Sequence, residues 1–302
     1  MGSFIFLKEV KAVKTSYKYR AIIGISLILM MGSFAFASVP SSPKVISLGG
    51  SITADTGKCM GDNLARNPAT LANANKGIMF NYNKPFGIEG HGSNGLSLSW
   101  SGQKFGFAAI INKTETLLPE QRHGQINNNS YSEKDFGFGI ARKINSSLNL
   151  GMGLWLNSID VSILDDAEGI DRLRRDTYID LGLTYGADLW NFGVAIKSLP
   201  LTKSNSIRNK EYKAGLRIGK ADLLSFIVDF GMSESSLGEN IANIQGGIEG
   251  WIQPDFAFRI GFNEQKMLTF GFGLEKGGWQ FDYAYSPHIL GNSHFLETGY
   301  MF

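Results

Sequence analysis

The chain has 302 residues, 43% of them hydrophobic, with 29 Lys and Arg against 27 Asp and Glu. This near balance excludes the strongly basic surface expected of a nucleic-acid-binding protein. The single cysteine, Cys59, excludes an internal disulfide framework, and we expect it to be a small buried residue.

Residues 1–37 have the composition of a cleaved export signal. Five Lys and Arg residues precede a nearly unbroken apolar stretch at 21–36, and Ala35-Phe36-Ala37 supplies a small-x-small cleavage sequence before Ser38. The alternative is an uncleaved anchor, because the stretch approaches the roughly 17 residues that a spanning helix needs. The first 37 residues hold five of the 29 basic and one of the 27 acidic residues, so the remainder carries 24 against 26.

Residues 38–75 do not alternate between apolar and polar positions. The segment Ser47-Leu48-Gly49-Gly50 and the stretch 61–74 indicate loop and short helix. Because the strands that follow carry small residues on one face, we expect this segment to fold into the space between them as a hatch. The alternative is a tail that hangs on the periplasmic side.

From Lys76 to Phe302, bulky apolar residues alternate with Gly, Ala, Ser or charged residues in about fourteen runs. A period of two predicts extended strands with one apolar face, and that many runs behind an export signal are typical of a transmembrane β-barrel. In one run Leu148, Leu150 and Met152 oppose Asn149 and Gly151. The prediction is an all-β protein: a signal at 1–37, a hatch at 38–75 and an antiparallel barrel of about 14 strands at 76–302.

A soluble β-sandwich is the alternative, since it also alternates. Two features of the runs favour a barrel. Their small faces are rich in Gly and Ala, which suits a crowded lumen. Aromatic residues near the run ends match the interfacial girdles of membrane proteins; these are Trp100, Tyr178, Tyr185, Tyr285 and Tyr300.

The predicted connections alternate in length. Short ones, such as Ser101-Gly102-Gln103 and Lys276-Gly277-Gly278, separate long ones, such as Lys113 to Ser130 and Asp160 to Arg175. Short periplasmic turns and longer outer loops are typical of outer-membrane barrels. Because the first and last connections are both long, both termini are predicted on the periplasmic side, which requires an even number of strands.

Two groups of residues are candidates for holding the hatch. Pro68 fixes its own φ and biases Asn67 towards an extended conformation, while the Asn67 amide is free to bond neighbouring backbone. We expect this turn, Arg66-Asn67-Pro68-Ala69, to anchor the hatch on charged residues of the lumen. The candidate lumen-facing residues are Asp180, Arg217, Asp229, Arg259 and Asp282.

No pattern indicates an enzyme, a metal site or a cofactor. The four histidines, His91, His123, His288 and His294, are tied to no Ser or Asp by a recognisable motif. Gly-x-Gly pairs lie inside strands rather than in the strand-turn-helix setting of a dinucleotide site. The acidic run at 165–171 lacks the ordered ligand spacing of a calcium loop.

The Asn67-Pro68-Ala69 motif resembles the NPA motif in the hatch of FadL-type outer-membrane transporters. The wider chain is similar to their shorter relatives, the PorV/PorQ group, over 178–185, 259–263 and the closing 281–287 followed by 290–294. The resemblance implies a fourteen-stranded barrel with an N-terminal hatch, and either uptake of hydrophobic small molecules or a role in type IX protein secretion. Thr70 departs from the pattern, since glycine usually follows the NPA.

Leu296, Tyr300 and Phe302 share one face of the last strand, a partial form of the signal read by the barrel-assembly machinery. That machinery and outer-membrane lipid are the predicted partners, with a hydrophobic ligand or a secreted protein as a further one. The predicted location is the bacterial outer membrane. Two functions stay open: FadL-like transport, with Leu117 and Leu118 as an outer capture site, or a PorV-like platform or shuttle for secretion.

Overall fold

The computed structural model describes residues 42–55, 62–87, 89–122, 125–163, 170–201, 208–234, 240–288 and 291–302. The predicted export signal, Cys59, His123 and most of the acidic run at 165–171 lie outside these ranges. No helix within them is long and apolar enough to cross a membrane.

Fourteen antiparallel strands close into a barrel, in which each strand pairs with its chain neighbours and β1 pairs with β14. This confirms the predicted all-β barrel and its even strand count. The strands are β1 Gly77–Lys84, β2 His91–Ser101, β3 Phe105–Arg122, β4 Gln125–Lys143, β5 Leu148–Ile163, β6 Ile170–Ala187, β7 Trp190–Pro200, β8 Lys210–Lys220, β9 Leu224–Glu234, β10 Asn240–Gln253, β11 Phe256–Phe262, β12 Leu268–Lys276, β13 Trp279–Ser286 and β14 Ser293–Met301.

The strands expose their large residues and bury their small ones, as the alternation predicts. On β3 the side chains of Phe105 and Phe107 are 40% and 39% exposed, whereas Ala108 and Ile110 are buried. Successive side chains of a strand point to opposite faces, so the bulky face forms the outer wall and the small face lines the lumen. An apolar exterior of this kind is what lipid requires of a membrane barrel.

One predicted girdle residue lies inside the barrel instead. Trp100 and Tyr185 are exposed on the outer wall, but Tyr178 is only 1% exposed and its hydroxyl donates to Asp176 at 3.1 Å. The prediction for Tyr178 was wrong because its position in the period of two, and not its aromatic character, decides its face. Trp155 lies inside for the same reason.

Two of the long outer connections are much shorter than predicted. β3 and β4 pair as far as Arg122 and Gln125, so Lys113 to Ser130 is mostly strand. β5 likewise continues to Ile163, and β6 begins at Ile170. Leu117 and Leu118 therefore belong to a strand rather than a loop. The stretch 118–129 shows no regular apolar alternation in the sequence, so the period of two did not reveal these strand ends.

The segment before β1 contains a helix α1 (Pro43–Ser47), a helix α2 (Asp62–Arg66) and a 3₁₀ helix (Pro68–Asn73); a second 3₁₀ helix (Pro85–Gly87) follows β1. We call residues 42–55 and 62–74 the hatch, and most of their side chains are buried. Leu64 and Leu71 pack with the lumen residues Ile110, Trp155 and Tyr178. Val45, Leu48 and Ile52 pack with Ile227, on β9, in a second cluster. The hatch therefore occupies the lumen, as the small lumen-facing residues predict.

Cysteine labelling tests which end of the barrel faces the cell exterior. In a Cys59→Ser background, we expect Asn128→Cys to react on intact cells with a bulky hydrophilic maleimide and Gln103→Cys to react only after the outer membrane is permeabilised. Asn128 lies near the β3–β4 hairpin end, and Gln103 lies in the short β2–β3 turn at the opposite end. Equal labelling of the two on intact cells would contradict the topology.

Candidate functional site

The turn around Asn67 connects the two parts of the hatch with each other and with the barrel wall. Asn67 is extended (φ −149°, ψ 104°), and its Oδ1 accepts from the Ala69 N–H at 3.1 Å, which caps the 3₁₀ helix that Pro68 begins. Its Nδ2 donates to the carbonyl of Thr53 at 2.7 Å and to that of Leu183, on β6, at 3.1 Å. One side chain therefore ties both parts of the hatch to the barrel.

Thr70 takes over a structural role in this turn. Its hydroxyl donates to the Asn67 carbonyl at 2.7 Å, so the residue that departs from the family pattern closes the turn with a side-chain hydrogen bond. The turn is therefore closed by a threonine side chain at the position where the resembled motif usually has glycine.

Glycines surround the hatch where its backbone approaches the wall. A Cβ on Gly182 would overlap the Asn67 side chain, and one on Gly151 would overlap the backbone of Pro68 and Ala69. The absence of a side chain is what permits such close approach. A Cβ would also overlap other hatch residues at six further glycines of the wall: Gly106, Gly139, Gly193, Gly247, Gly261 and Gly271.

Asp229, on β9, receives the first part of the hatch. Its Oδ2 accepts from the backbone N–H of Ile52 at 3.1 Å, from the N–H of Thr53 at 3.0 Å and from the Thr53 hydroxyl at 2.6 Å. Three donors on one buried carboxylate make this a strong attachment, because charged acceptors form the stronger hydrogen bonds.

Buried ion pairs connect the hatch to three further strands. Asp55 pairs with Lys44 at 2.8 Å, within the hatch, and with Arg217 on β8 at 3.3 Å. Lys44 also lies 3.5 Å from Glu249 on β10, and Glu249 accepts from Arg259 on β11 at 2.7 Å.

The chain of charges ends on β13. Arg259 pairs with Asp282 at 2.5 Å, and Gln280 donates to the other oxygen of Asp282 at 2.6 Å. Breaking a buried pair of this kind on one side leaves an uncompensated charge, which is strongly destabilising.

The structure places the other predicted residues differently. Asp180 faces the lumen, but its hydrogen-bond donors belong to the barrel wall and not to the hatch. It accepts from Trp155 Nε1 at 2.8 Å and from the Ser198 N–H at 2.7 Å. Ser198 has φ 58° at a register shift between β6 and β7, so Asp180 stabilises a bulge in the wall. Arg66, at the end of α2, lies near Glu211 and Lys213, and its positive charge acts on both side chains.

Sequence reasoning missed three members of the charge network. Glu249 lies two residues after Gly247 on β10, so the alternation places both on the lumen face, and this could have identified Glu249. Lys44 and Asp55 lie in a segment without periodicity, so nothing in the sequence distinguished them from solvated charges. Within the described residues, no group of three or more His, Cys, Asp or Glu side chains is placed to hold a metal ion.

No protein-family model and no curated protein sequence matches the chain. Several solved structures share its fold. CymD, a monoaromatic hydrocarbon channel, superposes with a TM-score of 0.64 at 15% identity, covering 89% of this chain and 99% of that one. The Pseudomonas putida toluene transporter TodX gives 0.59 at 13% identity, with coverage of 88% and 98%.

A Pseudomonas aeruginosa FadL homologue gives a TM-score of 0.60 at 10% identity, covering 89% of this chain and all of that one. At such identities the likeness concerns the fold. The chain therefore has the FadL-type barrel fold that its sequence resemblance predicts.

Removing the carboxylate of Asp229 should loosen the hatch. Asp229→Leu leaves three buried donors without an acceptor, at about 1–3 kcal/mol for each group left unpaired. We expect trypsin added to membrane fragments open on the periplasmic side to cleave the variant after Lys44 or Arg66 at least several times faster than the wild type. The control is Asp176→Asn, which alters an acidic residue paired with Arg174. Equal cleavage of all three proteins would contradict the anchoring role of Asp229.

Proposed function

We propose that this protein is an outer-membrane channel that passes small hydrophobic molecules and is gated by the hatch. The observation that carries the proposal is the attachment of the hatch to the wall through polar contacts at Asn67, Asp229 and the charge network, which lie beside two apolar clusters. A plug held in this way closes the lumen, yet it separates from the wall when those contacts are exchanged for others. The proposed location is the outer membrane.

The apolar contacts of the hatch support the proposal that the transported molecules are hydrophobic. Leu64 and Leu71 meet Ile110, Trp155 and Tyr178 on the β3–β6 side of the lumen. When the hatch moves, this surface becomes an apolar strip along the wall, which would favour an apolar solute over water. The shared fold with the toluene transporter and the monoaromatic hydrocarbon channel points in the same direction.

A reversible disulfide between hatch and wall tests the gate. A Cβ on Gly215 would lie 3.0 Å from the Thr53 Cβ and would overlap Asp229 Oδ1, so Thr53→Cys/Gly215→Cys reaches the usual disulfide separation of about 3.5–4.5 Å once the Asp229 carboxylate shifts aside. In a Cys59→Ser background, we expect oxidation to reduce the entry of the hydrophobic dye N-phenyl-1-naphthylamine to the rate of cells lacking the protein. Dithiothreitol should restore it.

The controls are the two single-cysteine variants, which should transport equally with and without reductant. Unchanged dye entry in the oxidised double variant, with the disulfide verified by mass spectrometry, would contradict transport gated by the hatch. Dye entry equal to that of cells lacking the protein under every condition would contradict hydrophobic transport itself.

Within proteins of this fold, we propose that the chain belongs to the PorV/PorQ group. Its second candidate function is that of a platform or shuttle in protein secretion. Arg259 and Asp282 both belong to segments that resemble this group, and the two side chains form one buried ion pair. This contact supports the family assignment because it gives both segments a common structural role. Native mass spectrometry of the detergent-extracted protein separates the functions: a bound secreted protein favours the platform, and a bound apolar small molecule favours the channel.

A further inference from the structure

The strand register brings residues of eight neighbouring strands, seven of them polar and one a glycine, into one continuous row on the lumen face. Each residue of the row pairs in the ladder with the next, from β13 through β14 and β1 to β6. All of the side chains are at most 6% exposed. The polar row consists of Asp282, Glu297, Asn81, Gly95, Asn112, Asp135, Asn157 and Asp176.

The polar row climbs from the periplasmic end of the lumen towards the outer end. Asp282 follows closely after Trp279, the first residue of β13 at the periplasmic end, whereas Asp176 lies nearer to Ile170, at the outer end of β6, than to Ala187 at its periplasmic end. With neighbouring strands about 4.8 Å apart, the row is roughly 30–35 Å long. Because strands of such barrels tilt by about 35–45°, the row rises by about 20 Å along the barrel axis.

The middle of the polar row carries amide groups without partners. Asn112 is 0% exposed, and neither its Nδ2 nor its Oδ1 has a hydrogen-bond partner; the Oδ1 of Asn81 has none either. Both side chains lean over Gly95, where a Cβ would overlap Asn112 Oδ1 and lie 2.9 Å from Asn81 Oδ1. Buried polar groups in this state call for water or a polar solute as a partner.

A cavity opens beside the periplasmic end of the polar row. It has a volume of about 430 Å³, and its lining includes Lys44, Glu249, Trp251 and Arg259 together with residues of the β8–β9 and β10–β11 turns. The indole Nε1 of Trp251 has no partner. The cavity therefore offers charged groups and an indole N–H at the end of the barrel where β1 begins and β14 ends.

A single ion pair separates this cavity from the polar row. Arg259 lines the cavity, and its Nη1 lies 2.5 Å from Asp282, the first residue of the row. The two side chains meet above Gly273, where a Cβ would lie 2.5 Å from Asp282 Oδ1 and 2.8 Å from Arg259 Nη2. Arg259 lies between the carboxylates of Glu249 and Asp282, so it occupies the space between the cavity and the row and neutralises two groups that would otherwise attract a cation.

We propose that the polar row is a hydrophilic route for small cations, separate from the hydrophobic passage, and that the Arg259–Asp282 pair closes it. Carboxylates and amide oxygens along the row favour cations over anions, as rings of acidic side chains do in cation channels. At the outer end Arg208 pairs with Asp135 and Arg174 pairs with Asp176. The carboxylates there are partly neutralised, so the unpartnered amides in the middle hold the solute.

The test is the ionic current of the full-length protein in planar bilayers under a KCl gradient. Arg259→Gln removes the closing charge and leaves Glu249 and Asp282 at the entrance. We expect at least about a tenfold increase in current over the wild type, with a reversal potential on the potassium-selective side. Asp282→Asn breaks the same pair from the other side, and should also raise the current, with weaker preference for potassium.

Adding Asn112→Leu identifies the route. An apolar side chain of similar size in the middle of the row should reduce the Arg259→Gln current several-fold, because an apolar constriction excludes water and ions. The matched control is Asp229→Leu, which loosens the hatch on the other side of the lumen. Its openings should be large, weakly selective and insensitive to Asn112→Leu.

Three results would overturn the proposal. The first is wild-type current in both Arg259→Gln and Asp282→Asn, or in Asp282→Asn alone if Arg259→Gln does not assemble. The second is preference for chloride. The third is an equal reduction of the current by Asn112→Leu in the Arg259→Gln and Asp229→Leu backgrounds. The ions would then pass through the space left by the displaced hatch and not along the polar row.

Discussion

Deleting Ser38 to Asn63, with the export signal kept, should leave a barrel that still assembles but conducts ions far better than the wild type. The deletion removes Lys44, Thr53 and Asp55, which hold the first part of the hatch to Asp229, Glu249 and Arg217. It also removes the cluster of Val45, Leu48 and Ile52 from the lumen. A lumen emptied on that side fills with water.

Single-channel recording in planar bilayers provides the measurement, with heat-dependent gel mobility as the check on assembly. Because each unpaired charge left behind is in contact with water, we expect the barrel to survive the loss of its hatch partners. Ile46→Val, a small change at a half-buried hatch position, is the control and should stay closed. If the deleted protein is as closed as the wild type, the hatch is not the gate and the proposed transport mechanism fails.

Arginine on the outer wall should destabilise the barrel strongly. Phe258 and Phe272 pair with each other near the middle of β11 and β12, and Phe258 is 45% exposed on the lipid-facing side. Phe258→Arg places a charge near the bilayer centre, which costs about 2–4 kcal/mol in barrels of this kind. Phe272→Arg should cost more, because the Phe272 ring also packs against Phe256, Phe281 and Tyr283.

Equilibrium unfolding in urea from lipid vesicles measures this loss. Asn243→Arg serves as the lumen-side control, since Asn243 faces inwards near the outer mouth and its amide already donates to Glu264 at 3.1 Å. Phe258→Leu serves as the apolar control on the outer wall. Equal tolerance of arginine at Phe258 and Asn243 would remove the main support for a lipid-facing exterior.

The sequence alone determined the barrel, because a period of two places each residue on one of two faces without reference to distant partners. Phe105 and Ala108 went to opposite faces as their positions require. The Asn67-Pro68-Ala69 turn was equally local, since Pro68 restricts both its own φ and the conformation of Asn67. The prediction failed for Tyr178, which was placed in the outer girdle because it is aromatic although its position in the alternation faces the lumen.

Only the tertiary structure decided which charges meet. Lys44 lies more than two hundred residues from Glu249 in the chain, and no periodicity relates a hatch residue to a strand residue. The polar row likewise depends on the register of eight strands, which includes the pairing of β1 with β14 from the two ends of the barrel. The alternation places Asn112 in the lumen, but its pairing with Gly95 and Asp135 exists only in the closed barrel.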